Sequence, residues 1–144
     1  MINKIALVID DDEGVRDSLR MLLEFKNFIV ECCDRGEPAL DHSNTKPFDL
    51  ILVDYHMPAM NGAVITRQLR AFCPTAFIIG MSMEEQGDFF YRAGADAFIN
   101  KNHLVHDLVS IIDHEWGPAS SDGGVQISES SHRRQRGYRK AGGS

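Results

Sequence analysis

Two hydrophobic patterns alternate along this chain. Short, solidly apolar runs occur at Lys4-Ile5-Ala6-Leu7-Val8-Ile9, Phe28-Ile29-Val30-Glu31-Cys32, Leu50-Ile51-Leu52-Val53, Ala76-Phe77-Ile78-Ile79-Gly80-Met81 and Ala97-Phe98-Ile99-Asn100. Runs of this length and apolarity predict strands buried on both faces of a parallel sheet. Between them the apolar residues change to helical spacing. Val15, Leu19, Leu22 and Leu23 predict a helix from about Glu13 to Phe25. Gly36-Glu37-Pro38-Ala39-Leu40 opens a short second helix, with Pro38 tolerated in its first turn. Asn61 caps a third helix carrying Val64, Ile65, Leu69 and Phe72, which Pro74 ends. Phe89, Phe90 and Ala93 belong to a short fourth helix closed by Gly94. Leu104, Val105, Leu108, Ile111 and Ile112 stripe a fifth, which stops by Gly117-Pro118. Strand and helix alternating five times predict a doubly wound α/β domain with a five-stranded parallel sheet.

The expected strand order is 2-1-3-4-5, the flavodoxin-like arrangement, with its switch point between the first and third strands. The first strand runs into Asp10-Asp11-Asp12 and the third ends at Asp54. Topology alone thus gathers Asp10, Asp11 and Asp54 in the crevice at the strands' carboxyl ends. Crowded carboxylates need a cation to hold them, so this is a candidate divalent-cation site.

Composition narrows the picture. The chain of 144 residues is one domain plus a tail, divided at about residues 116 and 117. No apolar stretch approaches a membrane span, and Met1-Ile2-Asn3-Lys4 lacks the regions of a signal peptide, so a cytoplasmic location is expected. Cys32, Cys33 and Cys73 have no metal-ligand spacing and read as reduced thiols. Residues 1–116 carry 19 acidic and 10 basic side chains, a poor surface for nucleic acid. Residues 117–144 carry five basic and two acidic residues and few apolar ones beyond Val125, Ile127 and Tyr138. That composition predicts a disordered tail or linker that does not dock on the domain. Arg133-Arg134-Gln135-Arg136 reads as a solvated run rather than a nucleic-acid arm. His103 and His106 lie at helical spacing with no acidic partner motif, so histidine ligation of a metal is not expected. Met57, Met60, Met81 and Met83 read as core or site lining.

Four features in order carry a family resemblance over roughly residues 3–116. They are Asp10-Asp11; Asp54 with the following Met57-Pro58-Ala59-Met60-Asn61-Gly62; Ser82 at the end of the fourth strand; and Lys101 at the end of the fifth. Together they resemble the receiver domain of two-component response regulators, of the chemotaxis-receiver kind. The resemblance implies a phosphoacceptor that takes a phosphoryl group from a histidine kinase or histidine phosphotransfer protein onto Asp54. The conformational change then reaches a downstream protein target, with the chain a monomer or weak homodimer. It implies Mg²⁺ as the cofactor, bound directly by Asp11, Asp54 and the backbone carbonyl of His56, with Asp10 acting through a bound water. Lys101 and Ser82 would hold phosphoryl oxygens. Ser82 and Phe98 would form the switch, the ring moving inward as Ser82 is drawn to the phosphoryl group. Such a protein autocatalyses its phosphorylation and slow dephosphorylation but is not chiefly an enzyme.

The chain departs from the family's pattern in several places. Asn102 follows Lys101 where a cis proline is usual, so a trans peptide is expected because a non-proline cis bond costs about 2.5–4 kcal/mol. Phe98 replaces the usual tyrosine, which predicts a weaker switch. Met83 stands where small residues are usual, and the segment from Ser82 to Ala93-Gly94-Ala95 is about one helical turn short, which predicts a shortened fourth helix. Three other readings compete. One is a degenerate receiver serving as an unphosphorylated docking scaffold, against which the complete acidic, hydroxyl and lysine set argues. Another is a Mg²⁺-dependent phosphatase of the haloacid dehalogenase type, which needs an aspartate where this chain has His56. The third is a receiver fragment of a larger regulator with a DNA-binding or enzymatic output domain.

Overall fold

A computed structural model describes residues 3–117 and 127–134. Its elements run β1 (Lys4–Ile9), α1 (Glu13–Phe25), β2 (Phe28–Cys33), α2 (Gly36–Ser43), β3 (Leu50–Asp54), α3 (Gly62–Phe72), β4 (Phe77–Ser82), α4 (Gly87–Ala93), β5 (Ala97–Asn100), a 3₁₀ turn at Lys101–His103, α5 (Leu104–Trp116) and β6 (His132–Arg133). The first five strands are parallel in the order 2-1-3-4-5. β3 and β4 are buried at every position, as strands covered by helices on both faces must be.

Side-chain alternation along the strands divides the core in two. Ala6, Val8, Leu50, Leu52, Ile79 and Ile99 face α1 and α5, where Leu19, Leu23, Leu108 and Ile111 pack. Leu7, Ile9, Ile51, Val53, Ile78 and Phe98 face the other side, with Ala39, Ile65, Leu69 and Phe90 from α2, α3 and α4. Asn61 caps α3 as predicted, its Oδ1 accepting the Val64 amide at 2.9 Å, and Asp12 caps α1, a role not expected of it, its Oδ1 accepting the Val15 amide at 3.1 Å. Gly94 closes α4 at a φ of 109°, left-handed backbone that favours glycine. At seven residues, α4 is shortened as expected. Cys32, Cys33 and Cys73 are free, the last two buried.

The undocked tail is corrected over residues 127–134. His132–Arg133 adds a sixth strand, antiparallel to β5. The expectation weighed apolar content alone, but β5 ends the five-stranded sheet and offers unpaired backbone groups along its free edge. The segment meets that edge with hydrogen bonds rather than with a hydrophobic face. Ser131 Oγ accepts the Asn100 amide at 2.7 Å, and the Arg134 amide donates to the Asp96 carbonyl at 2.6 Å. Tyr91 Oη donates to the His132 carbonyl at 2.5 Å. Asp107, fully buried on α5, accepts from the Ser128 amide at 3.1 Å and from Ser128 Oγ at 2.6 Å. Burial opposes ionisation of Asp107, but hydrogen bonds from Ser128, Ser131 and His106 outweigh it and hold the carboxyl below its ordinary value. Ile127 adds one apolar contact to the α1–α5 core. Arg133 pairs with Glu115 at 2.5 Å, and Arg134 reaches the Tyr91 carbonyl and ring, so neither reads as part of a solvated run. Gln135 and Arg136 lie outside the described residues, as does most of the expected tail.

Ending the chain at Gly117 is therefore expected to destabilise it. It would strip Asp107 of both Ser128 bonds and uncover the β5 edge, for a loss of about 1–3 kcal/mol on the scale of a buried polar group losing its partner. Urea unfolding of full-length and shortened chains measures the difference.

Candidate functional site

Strand register brings the predicted residues to one level. Ile9 pairs with Val53, so Asp10 follows β1 beside Asp54 at the end of β3. Asp54 pairs with Met81, one residue before Ser82, and Ser82 pairs with Asn100, one residue before Lys101. The carboxyl ends of four adjacent strands thus deliver two aspartates, a hydroxyl and an ammonium. Asp11 joins them from the loop into α1. One oxygen from each of Asp10, Asp11 and Asp54 lies within 4.8 Å of the other two. No other cluster of this kind is found among the described residues.

Lys101 spans the cluster. Its Nζ lies 2.7 Å from Asp10 Oδ2 and 2.9 Å from Asp54 Oδ1. Asp10 is fully buried, Asp54 is 5% exposed, and Asp11 is exposed. Burial raises the Asp54 carboxyl above its ordinary value; Lys101 pulls it down, while the charges of Asp10 and Asp11 push it up. Burial alone would lower the Lys101 ammonium, but its bonds to Asp10 and Asp54 overcome that and raise it. Asp10 is anchored further by the Asp12 amide, which donates to Oδ1 at 3.0 Å, and by Arg16, which donates to its carbonyl at 2.9 Å.

The loop after Asp54 depends on a glycine. A Cβ on Gly62 would sit 2.2 Å from the Asp54 carbonyl oxygen, and the Gly62 amide donates to the Tyr55 carbonyl at 2.8 Å. A side chain there would push β3 and α3 apart. His56 directs its ring to Glu84, with Nε2 3.0 Å from Oε1. Ser82 is buried, and its Oγ accepts the Glu84 amide at 3.1 Å. Met83 is 56% exposed beside it. The peptide after Lys101 is trans, since the described residues contain no cis bond. Asn100 Oδ1 accepts the Asn102 amide at 2.9 Å, a contact that the usual proline could not make.

Phe98 is already inward. It is fully buried, with ring centroids 6.0 Å from Phe90 and 5.6 Å from His132. The expectation of a ring free to move inward on loading did not include His132, which covers it. Nor did the sequence reading anticipate Arg16 on Asp10 or Glu84 between Ser82 and His56. These contacts join residues across loops, where no periodic pattern exists to reveal them.

A buried carboxylate, an acidic pair, a hydroxyl and a lysine thus gather at the carboxyl ends of a 2-1-3-4-5 sheet. The chain belongs to the response regulator receiver domain family, whose model matches residues 6–113. It is 33% identical over 105 residues to the transcriptional regulatory protein ResD of Bacillus subtilis, covering 72% of this chain and 44% of ResD. The chain spans about half the length of the curated relatives it matches. Among solved structures, a CheY-like response regulator receiver domain protein from Methanospirillum hungatei aligns with a TM-score of 0.74 at 28% identity, covering 79% of this chain and 94% of that one. A Burkholderia pseudomallei response regulator, with a phosphorylated aspartic acid, calcium ion and citrate, aligns at 0.70 and 25% identity, covering 75% and 65%. No helix among the described residues is long and apolar enough to cross a membrane.

The raised Asp54 carboxyl has a consequence for stability. An acid whose folded-state value lies above its unfolded one costs the folded state stability once pH passes the ordinary carboxylate value of about 3.9. Without divalent metal, Asp54→Asn is expected to raise Tm at pH 7. The gain should shrink as pH falls toward that ordinary value and vanish below it, where the wild-type carboxyl is protonated in both states. Thermal unfolding of both chains across that pH range checks the sign.

Proposed function

We propose that the chain is a phosphoacceptor that takes a phosphoryl group onto Asp54 from a phosphohistidine of a histidine kinase or phosphotransfer protein, in the presence of Mg²⁺. The observation that carries this reading is the arrangement at Asp54: a nearly buried carboxylate with Lys101 at 2.9 Å and the exposed Asp11 beside it. An Asp54 oxygen attacks phosphorus as the phosphorus–nitrogen bond to the donor breaks, and the imidazole leaves with the electron pair. The product is an acyl phosphate. Lys101 then has a phosphoryl oxygen to pair with, and the Ser82 hydroxyl another.

The donor set fits Mg²⁺, which favours hard oxygen ligands and keeps several of its waters. Asp11 and Asp54 would hold it directly, the His56 carbonyl would give a third oxygen, and Asp10 would act through a bound water. When bound, the ion would neutralise charge on the transferring phosphoryl oxygens. Asp10 is the poorer direct ligand because it is already engaged by Lys101 and the Asp12 amide. Asp11 makes no ion pair among the described residues. The phosphorylated aspartic acid and calcium ion of the Burkholderia structure support the same reading. Slow hydrolysis of the acyl phosphate would reset the site, and the loaded state would alter contacts with a downstream protein.

Two measurements test this. Intact mass after incubation with a small phosphodonor and Mg²⁺ should show one added phosphoryl group, absent in Asp54→Asn; label persisting in the variant would remove Asp54 as acceptor. Titration of Mg²⁺ by NMR should show Asp11→Asn weakening the metal about 10-fold or more, on the scale of a lost ligand contact, and Asp10→Asn weakening it less. Equal losses would remove the distinction between a direct and a water-mediated aspartate.

A further inference from the structure

The segment Ile127–Arg134 does more than close a sheet edge, because its contacts bracket the site's lysine. Ser131 Oγ takes the amide of Asn100, the residue that precedes Lys101. His132 pairs with Phe98 across the β5–β6 ladder and covers its ring. Gly87 leaves room for this: a Cβ there would sit 2.7 Å from His132 Nε2. Tyr91 on α4 holds the same residue twice, through its carbonyl and through Nδ1 at 2.7 Å from the hydroxyl. Burial pushes the Tyr91 phenol up, so it stays a neutral donor. At the far end of β5, the Arg134 amide bonds the Asp96 carbonyl. The whole of β5 is therefore clamped between β4 and this segment. Lys101 Nζ, which must stay within reach of both Asp10 and Asp54, hangs from the clamped end.

We propose that residues 127–134 act as a strap in cis that preorganises the acceptor site through β5. Docking of the strap fixes Asn100 and Phe98, which positions Lys101 for a phosphoryl oxygen. Loading of the site in turn tightens the strap, because coupling between two binding events is reciprocal. Lys101 is the group that acts on the phosphoryl group; Ser131, His132 and Tyr91 are positioning residues. The proposal rests on Asp54 being the acceptor.

Its test uses the full chain, Mg²⁺ and beryllofluoride as the phosphoryl mimic. Amide hydrogen exchange at Phe98, Asn100 and His132 reports docking, and NMR titration reports mimic affinity. The double variant Ser131→Ala/His132→Ala should speed exchange at Asn100 and weaken the mimic about fivefold or more. Tyr91→Phe, which leaves the acidic site untouched but removes the hydroxyl that meets His132 and the Phe98 backbone, should move both readings the same way by less. Adding the mimic to wild type should slow exchange at the His132 amide. As a control, Phe28→Leu on distant β2 lowers stability without touching β5 and should leave mimic affinity unchanged. Faster strap exchange with mimic affinity held within twofold overturns the coupling, and so does an equal loss of affinity in Phe28→Leu. A wild-type chain whose Asn100 and His132 amides exchange freely overturns the docked strap itself. Failure of wild type to bind the mimic overturns the acceptor reading and the coupling with it.

Discussion

The ammonium of Lys101 lies 2.7 Å from Asp10 and 2.9 Å from Asp54, and Asp11 joins those two acids in a group of three carboxylates. Most of the structure around the site follows from that imbalance. Nearly buried carboxylates are costly unless paired and hydrogen-bonded, and one ammonium cannot satisfy three. Asp10 is satisfied by Lys101 and by the Asp12 amide, so it behaves as a structural acid. Asp54 shares what is left, and burial raises its carboxyl despite the lysine. Asp11, out in solvent, bears its charge cheaply. The cluster is therefore short of positive charge, and the cost of holding it together falls on the fold.

The fold meets that cost through register. Four parallel strands must end at the same height for Asp10, Asp54, Ser82 and Lys101 to meet, and a slip of one residue would send each side chain to the opposite face. The apolar residues just below the site prevent the slip. Val8 and Ile9 on β1, Leu52 and Val53 on β3, and Ile79 and Met81 on β4 are fully buried, each committed to one of the two cores. The tight passage from Asp54 to Gly62 fixes where α3 begins, since no larger residue fits against the Asp54 carbonyl. Core packing and site chemistry are the same constraint seen at two heights on the sheet.

This is also why so much was legible beforehand. A buried parallel strand is a solid apolar run, and the acid, hydroxyl or lysine that ends it marks the edge where the site gathers. The five strands, the Asn61 cap, the Gly94 terminus and the brevity of α4 all have local causes that a sequence displays. The strap does not. Ser128, Ser131 and Arg134 dock through hydrogen bonds whose partners lie 21 to 43 residues earlier, and only Ile127 joins the main core. Apolar content is the signal for docking, and here it is almost absent. Arg16 and Glu84 were hidden for the same reason, being polar side chains aimed at backbone or at other polar groups across a loop.

The polar character of the strap also decides what kind of element it is. A strand anchored by large apolar side chains would be a permanent part of the core. Hydrogen bonds contribute about 0.5–1.5 kcal/mol each after exchange with water, and ordering each residue costs about as much or more. Eight residues held mainly by such bonds sit near balance, among the least stable parts of a structure and the readiest to open. The two edges of the sheet differ in this respect. β2 carries no residue of the acidic cluster, and Ile29 on it is half exposed. β5 leads directly into Lys101, the ammonium on which Asp10 and Asp54 depend. A marginal strand at that edge leaves the position of Lys101 sensitive to small free-energy changes, and substitution of a phosphoryl oxygen for a carboxylate in its contacts is a change of that order.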